Sequence, residues 1–225
     1  MELIKAVRFV KQYGQGDVAV TALDNVSLSV EKGTFVAITG ESGSGKSTLL
    51  NILGGMDRPT SGEVFLDGKQ LPESDRELAA LRGKDIGMVF QNYHLLPMLT
   101  AEENIEVPVR FAGKTVKAEE VKVLFEQLGL VGREHHLPSE LSGGQQQRVA
   151  IGRALINHPK VLLADEPTGN LDKKTGEEIV TLLLRLKESY GMTLVMVTHN
   201  EKIAALADRI IHMEDGKIVS DEVRV

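Results

Sequence analysis

Nine residues, Gly40-Glu41-Ser42-Gly43-Ser44-Gly45-Lys46-Ser47-Thr48, follow the apolar run Phe35-Val36-Ala37-Ile38-Thr39 and precede the helix formers Leu49, Leu50, Ile52 and Leu53. A buried strand that feeds a glycine-rich turn and then a helix makes an anion cradle. The glycines let backbone N–H groups turn toward a phosphate, and the helix adds the positive end of its dipole. Lys46 is then placed to neutralise β- and γ-phosphate oxygens, and the Ser47 hydroxyl to ligand Mg²⁺. With glycine at about 7% of residues, the pattern G-x-x-x-x-G-K-[ST] arises by accident in roughly one chain of this size in a hundred. The bland alternative, a flexible turn that caps a helix, leaves the lysine and the hydroxyl without a task.

Two further groups sit downstream. Asp165 ends the apolar run Val161-Leu162-Leu163-Ala164, where an ionised carboxylate is costly unless it meets a cation or strong donors. Mg²⁺ held through water is its natural partner. Glu166, next along, carries a carboxylate suited to orienting a water and accepting its proton, worth typically 10² to 10⁴ in rate. Upstream, in Leu141-Ser142-Gly143-Gly144-Gln145, the serine and Gln145 match a capping box that opens a helix from Gln145 to about Asn157, with Pro159 beyond its end. Capping does not account for glycine at 143 and 144, which costs up to about 1 kcal/mol each against alanine in a helix. Bare backbone at a helix start is a second anion site. If both starts serve one terminal phosphate, the second is most simply supplied by another copy of the chain, in a head-to-tail pair with two composite sites.

Single residues add detail. His199 follows the run 193–198, where a side chain could reach a terminal phosphate or hold a water beside Glu166; alone, it would as readily be a satisfied structural histidine. Gln91 follows Ile86-Gly87-Met88-Val89-Phe90 and could contact Mg²⁺ or water, or simply end a strand. Tyr13, one of three tyrosines, could stack on adenine or stand as an exposed turn aromatic near Gly14 and Gly16. His94, His135, His136, His158 and His212 lack metal-ligand spacing and read as surface or helix-end residues.

The elements that must position these groups alternate short apolar runs with helical stretches, which implies an α/β fold with a mainly parallel sheet. The runs 3–10, 18–23 and 26–30 are extended with little helical spacing, so an antiparallel side sheet is expected there. Asp67-Gly68 and Asp215-Gly216 signal hairpin turns. Residues 118–130 carry Val121, Leu124, Phe125 and Leu128 at helical period and belong to a mostly helical insert. One domain over 1–225 is expected, with a core of 1–91 and 158–225 and a helical subdomain of about 92–157.

At 225 residues and 42% hydrophobic content the chain supports one substantial core. The net charge of −6 argues against a nucleic-acid binder built on a broad basic face. With no cysteine, disulfides, thiolate metal sites and cysteine nucleophiles are excluded. Met1-Glu2-Leu3-Ile4-Lys5 has neither the positive flank nor the apolar run of a signal peptide, and no stretch reaches the ~18 apolar residues of a membrane span. A cytosolic chain is expected, any membrane role needing a partner.

These motifs, taken together, resemble the ATP-binding domain of ATP-binding-cassette (ABC) proteins, along the whole chain. Residues 40–48 resemble its Walker A loop, 161–165 its Walker B strand, and Glu166 its catalytic carboxylate. Residues 141–145 resemble its signature, Gln91 its Q-loop, Asn170-Leu171-Asp172 its D-loop, His199 its switch histidine, and Tyr13 its adenine-stacking aromatic. The strings 53–62 and 164–172 look like the subgroup of lipoprotein-release, macrolide-efflux, cell-division and peptide-antibiotic-resistance ATPases. Two departures stand out: Glu41 where proline is common, expected to be harmless, and Gly152 for a usual alanine, expected to loosen the signature helix slightly. The resemblance implies a P-loop NTPase that uses ATP and Mg²⁺, pairs with a second copy on binding ATP, and docks on a separate integral membrane permease at the cytoplasmic face of the plasma (inner) membrane. It implies ATP hydrolysis coupled to export or to force on the envelope, and places the permease groove near residues 93–104. Soluble cassette ATPases of DNA maintenance or ribosomes form the alternative, but they usually carry coiled coils, zinc cysteines or two cassettes. A small-molecule phosphate-loop kinase would leave residues 141–145 without a role.

Overall fold

The runs read as three extended pieces at the start of the chain are two long strands. In this computed structural model, which describes residues 1–14 and 16–224, β1 (Glu2–Tyr13) and β2 (Val20–Glu31) pair antiparallel with Ile4 opposite Val30 and Ala6 opposite Leu28. The register shifts along the pair, and Arg8 (φ 42°) and Asn25 (φ 53°) take left-handed backbone where it bends. Val18, expected in a strand, instead closes a short 3₁₀ turn, Gly16–Val18. Strand β4 (Ser61–Leu66) pairs with the other edge of β1, and Asp67-Gly68, at φ 51° and 76°, turns the chain into the short β5 (Lys69–Gln70). The order is β2-β1-β4-β5, the antiparallel side sheet that the extended runs imply.

By its contacts the chain divides into two units, residues 1–82 with 192–225, and residues 83–191. In the first, β3 (Phe35–Gly40) lies between β8 (Thr193–Val197) and β9 (Arg209–Glu214), parallel to both, with Val36 level with Val195 and Arg209. The Asp215-Gly216 turn then returns the chain as β10 (Lys217–Val223), antiparallel to β9. Phe35, Val36, Ala37 and Ile38 are all at most 1% exposed, as parallel strands covered on both faces must be. Helix α1 (Lys46–Leu53) follows β3 and buries Leu49, Leu50, Ile52 and Leu53. Helix α2 (Asp75–Arg82) completes the first stretch of this unit.

The second unit is built on two parallel strands, β6 (Ile86–Phe90) and β7 (Val161–Asp165), with Ile86 level with Val161 and Phe90 level with Asp165. Between them the chain forms α3 (Ala101–Phe111), α4 (Ala118–Leu128) and α5 (Gly143–Leu155), and after them the long α6 (Lys173–Tyr190). Three of these four helix starts follow from their capping residues. Thr100 and Glu103 form a reciprocal capping box for α3, Ser142 and Gln145 one for α5, and Asp172 caps α6 through Thr175. Gly129 and Gly191, at φ 67° and 60°, end α4 and α6 in the left-handed conformation. Helix α5 begins and ends about two residues earlier than the sequence suggests, and His158 at φ 50° turns the chain toward β7.

Gly152 has a packing role that the sequence does not display. A Cβ there would meet Leu128 Cδ1 at 2.6 Å and Ile105 Cδ1 at 2.8 Å, so the missing methyl is what lets α5 lie close against α4 and α3.

Candidate functional site

In the first unit the phosphate loop leaves β3 at Gly40, whose φ of 140° and the 2.1 Å separation of a hypothetical Cβ from Met213 O admit glycine alone. Gly45, at φ 95°, is the N-cap of α1 and offers no side-chain cap. The first-turn N–H groups of α1 are therefore without an Ncap side-chain acceptor, the condition for an anion-binding helix start. Lys46 is 4% exposed and its Nζ donates to Glu41 O at 2.5 Å and Ser44 Oγ at 3.4 Å, which holds the ammonium over the loop. Ser47 is exposed on the first turn.

The same unit holds Tyr13, which is 44% exposed. Its hydroxyl donates to Asp57 Oδ2 at 2.7 Å, while Lys11 Nζ donates to Asp57 Oδ1 at 2.6 Å and sits 4.7 Å from the ring centroid. A cation thus covers one ring face. Burial, with the Asp57 bond, raises the phenol pKa. Burial also works against the Asp57 charge, but the bonds from Lys11, Tyr13 and the Arg58 N–H outweigh it and hold that carboxyl below its ordinary value. His199 is exposed just past β8, next to buried Thr198, whose hydroxyl accepts from Asn200 N at 3.1 Å.

In the second unit the register of β6 and β7 brings Gln91 and Glu166 out at the same end of adjacent parallel strands, each one residue beyond its strand. Carboxyl ends of parallel strands are where such folds bind ligands. Glu166 stands at φ 45°, a left-handed conformation that favours glycine. Gln91 Nε2 donates to Asn170 Oδ1 at 3.1 Å, and Asn170 Nδ2 returns a bond to Gln91 O at 3.1 Å, so the amide oxygen of Gln91 is its end suited to a cation. Asp172 accepts from Thr175 Oγ1 at 2.5 Å and from Thr175 N at 3.1 Å, and these bonds keep its carboxyl below the ordinary range.

Ser142 is exposed at the start of α5; its Oγ accepts from Gln145 N at 3.3 Å and its N–H donates to Gln145 Oε1 at 2.9 Å. The two glycines have packing reasons that the sequence does not display. A Cβ at Gly144 would lie 2.5 Å from Thr175 Cγ2, and one at Gly143 would lie 3.0 Å from the Tyr93 hydroxyl and 3.4 Å from Leu171 Cδ2.

The ABC transporter family profile matches residues 23–169 of this chain. An uncharacterized ABC transporter ATP-binding protein of Thermotoga maritima is 53% identical over 217 residues, which cover 95% of this chain and 92% of that protein. The chain belongs to the ABC transporter family. The macrolide export ATP-binding/permease protein MacB of Hyphomonas neptunium is 50% identical over 222 residues, 97% of this chain and 34% of MacB. This chain thus spans about a third of the length of the MacB relatives it matches. A dimeric structure of the ATP-binding cassette MJ0796 in a post-hydrolysis state, bound to ADP and Pi, superposes with a TM-score of 0.90 at 44% identity, covering 98% of each chain. The fold is that of an ABC ATPase cassette, and the subgroup suggested by residues 53–62 and 164–172 agrees with the MacB matches.

Three polar side chains of this ABC cassette escaped sequence reasoning. Asn104, wholly buried, donates to the carbonyls of Leu96, Leu99 and Thr100 and accepts from Leu96 N. Arg153 donates to Tyr93 O and His94 O at 2.7 and 2.5 Å, and burial lowers its pKa. Gln147, also wholly buried, donates to Pro167 O at 2.6 Å. A signal existed for the last: Gly144, Gln147, Ile151 and Leu155 share one helical stripe, and a glutamine in such a stripe asks for a buried partner.

Proposed function

We propose that this chain is the ATP-hydrolysing subunit of an exporter-type ABC system and that it works as an ATP-dependent head-to-tail dimer on an integral membrane permease. The observation that carries the proposal is the pair of helix starts. One is a glycine loop with a buried lysine held over it, the other an exposed serine ahead of two glycines. Two such starts in one chain, with the dimeric MJ0796 cassette as a relative, support composite sites in which residues 40–48 of one copy face Ser142, Gly143 and Gly144 of another.

ATP and water yield ADP and phosphate. Gly40, Ser42, Gly43, Ser44, Gly45 and Thr48 shape the cradle, and Lys46 neutralises charge on the β- and γ-phosphate oxygens. Glu166 orients the attacking water and takes its proton, while His199 holds the γ-phosphate side of that arrangement. Tyr13 offers the ring face away from Lys11 to adenine. Asp172 and Gln145 shape the approach of the second copy. Mg²⁺ fits the hydroxyl, carboxylate and amide oxygens of Ser47, Asp165 and Gln91, all hard donors, and when bound it supplies charge neutralisation at the phosphates. Docking at the cytoplasmic face of the plasma (inner) membrane is supported by Leu96 and Met98, 39% and 72% exposed in the segment after Gln91. Among the described residues no helix is long and apolar enough to cross a membrane, so the proposed transport needs a second chain or a further segment.

Complementation tests the composite site. Lys46→Ala and Ser142→Arg chains, each inactive alone, should regain ATP hydrolysis when mixed, because a mixed pair has one intact and one doubly broken site. Random equimolar pairing gives about a quarter of the wild-type rate for independent sites. No recovery at any ratio would refute sites shared between copies.

A further inference from the structure

Gln147 lies on α5, one turn past the helix start at Ser142, and is 0% exposed. Its Nε2 donates to Pro167 O at 2.6 Å and makes a longer contact of 3.4 Å with Phe90 O. Those two carbonyls bracket the ends of β6 and β7: Phe90 immediately precedes Gln91, and Pro167 immediately follows Glu166. The amide cannot be turned over, since that would set its oxygen 2.6 Å from the Pro167 carbonyl. In this orientation Oε1 is, among the described residues, the buried side-chain polar atom with no hydrogen-bond partner.

A buried acceptor left unmade destabilises, and an apolar side chain of the same shape would avoid it. A residue that carries this cost for packing alone is poorly chosen; one whose N–H donors fix two backbone segments is not. The peptide after Glu166 is also the place where fixation matters, because Glu166 is held at φ 45°, outside the conformations its side chain prefers. A tether on Pro167 O resists relaxation of that backbone, and the contact with Phe90 O ties the same amide to the strand that presents Gln91.

We propose that Gln147 is a positioning residue for ATP hydrolysis, whose buried amide holds the backbone after Glu166 and before Gln91 in register with the helix that begins at Ser142. The proposal rests on the ATPase reading given above and extends it to a residue that touches neither nucleotide nor water. Displacement of a catalytic group by about 1 Å can cost about 10²-fold in rate, and only a group acting on the reaction should lose rate without losing ligand.

The test uses Gln147→Met, which keeps length and removes the amide, and Gln147→Glu, whose carboxyl donates a hydrogen bond only when protonated. For Gln147→Met, kcat should fall about 10- to 100-fold while KM for ATP and ATP affinity in a direct binding titration stay close to wild type. Wild-type kcat would overturn the proposal, as would a parallel loss of rate, affinity and stability, the pattern of a purely structural residue. Should Gln147→Met not fold, Gln147→Glu decides: its kcat relative to wild type should climb as pH falls and the buried carboxyl protonates, and a flat ratio refutes the idea. Absence of hydrolysis by the wild-type chain would instead refute the ATPase reading, and the proposal with it, so the two failures are distinct.

Discussion

Replacing Glu166 by glycine should remove activity and yet leave the protein more stable than the alanine variant does. Glu166 sits at φ 45°. For a residue with a Cβ, left-handed backbone costs about 1–2 kcal/mol. Glu166→Ala and Glu166→Gly delete the same carboxylate and every contact it makes, so the difference between them isolates the backbone. Alanine retains the left-handed cost. Glycine escapes it but gives the unfolded chain more freedom, worth about 0.5–1 kcal/mol in the opposite sense. The balance favours glycine by about 0.5–1 kcal/mol, the reverse of the usual order of these two residues, and corresponds to roughly 1–4 °C in unfolding midpoint for a chain of this length. Thermal unfolding followed by circular dichroism without nucleotide reads the difference, and urea unfolding checks it at constant temperature. ATP hydrolysis should fall about 10²- to 10⁴-fold in both variants. Alanine as stable as glycine, or more so, would show that the backbone at 166 is not strained. Near wild-type hydrolysis in either would remove Glu166 from the chemistry.

Two further outcomes follow from the geometry. Gly152→Ala gains about 1 kcal/mol of helix propensity but overpacks Leu128 and Ile105 by about 1–3 kcal/mol, so chemical denaturation should find it less stable than wild type; a more stable variant would show that the α5 contact has room. The Asp57 carboxyl is held below its ordinary value of about 3.9, so its stabilising contribution is complete above that value and is lost as pH falls through the lower folded pKa. The urea midpoints of wild type and Asp57→Asn should therefore lie furthest apart near neutral pH and converge below about pH 4, and a gap independent of pH would refute the assignment.

Much of the fold was legible because local rules and buried runs agreed. Residues 35–38 are uninterrupted apolar residues and form a strand covered on both faces; Asp67-Gly68 and Asp215-Gly216 take the left-handed angles that their turns require. Ser142 with Gln145 gave the start of α5, although the helix body begins with the glycines themselves because the capping serine counts from outside. The long β2 was read in two pieces, 18–23 and 26–30, which part at the left-handed Asn25, whereas β1 was read as the single run 3–10 and extends to Tyr13.

What escaped was set by partners distant along the chain. Arg153 serves carbonyls at Tyr93 and His94, about sixty residues away, and Gln147 serves one at Pro167, twenty away; no periodicity encodes either pairing. The same distance changes how the signature glycines are argued. Their presence looked like evidence for bare, anion-binding backbone, but Thr175 stands 2.5 Å from where a Cβ at Gly144 would be, and Tyr93 stands 3.0 Å from one at Gly143. Close packing by itself favours small residues there, so the glycines no longer discriminate between an anion site and a tight helix contact. The discriminating residue is Ser142, exposed, with a 3.3 Å bond to Gln145 N that a nearby phosphate oxygen could replace. That is why the complementation experiment turns on Ser142→Arg and leaves the glycines alone: a substitution at 144 would collide with Thr175 in one chain, whereas Ser142→Arg exchanges an exposed side chain, gives up its cap on Gln145 N at about 1 kcal/mol, and changes what the helix start presents to another copy.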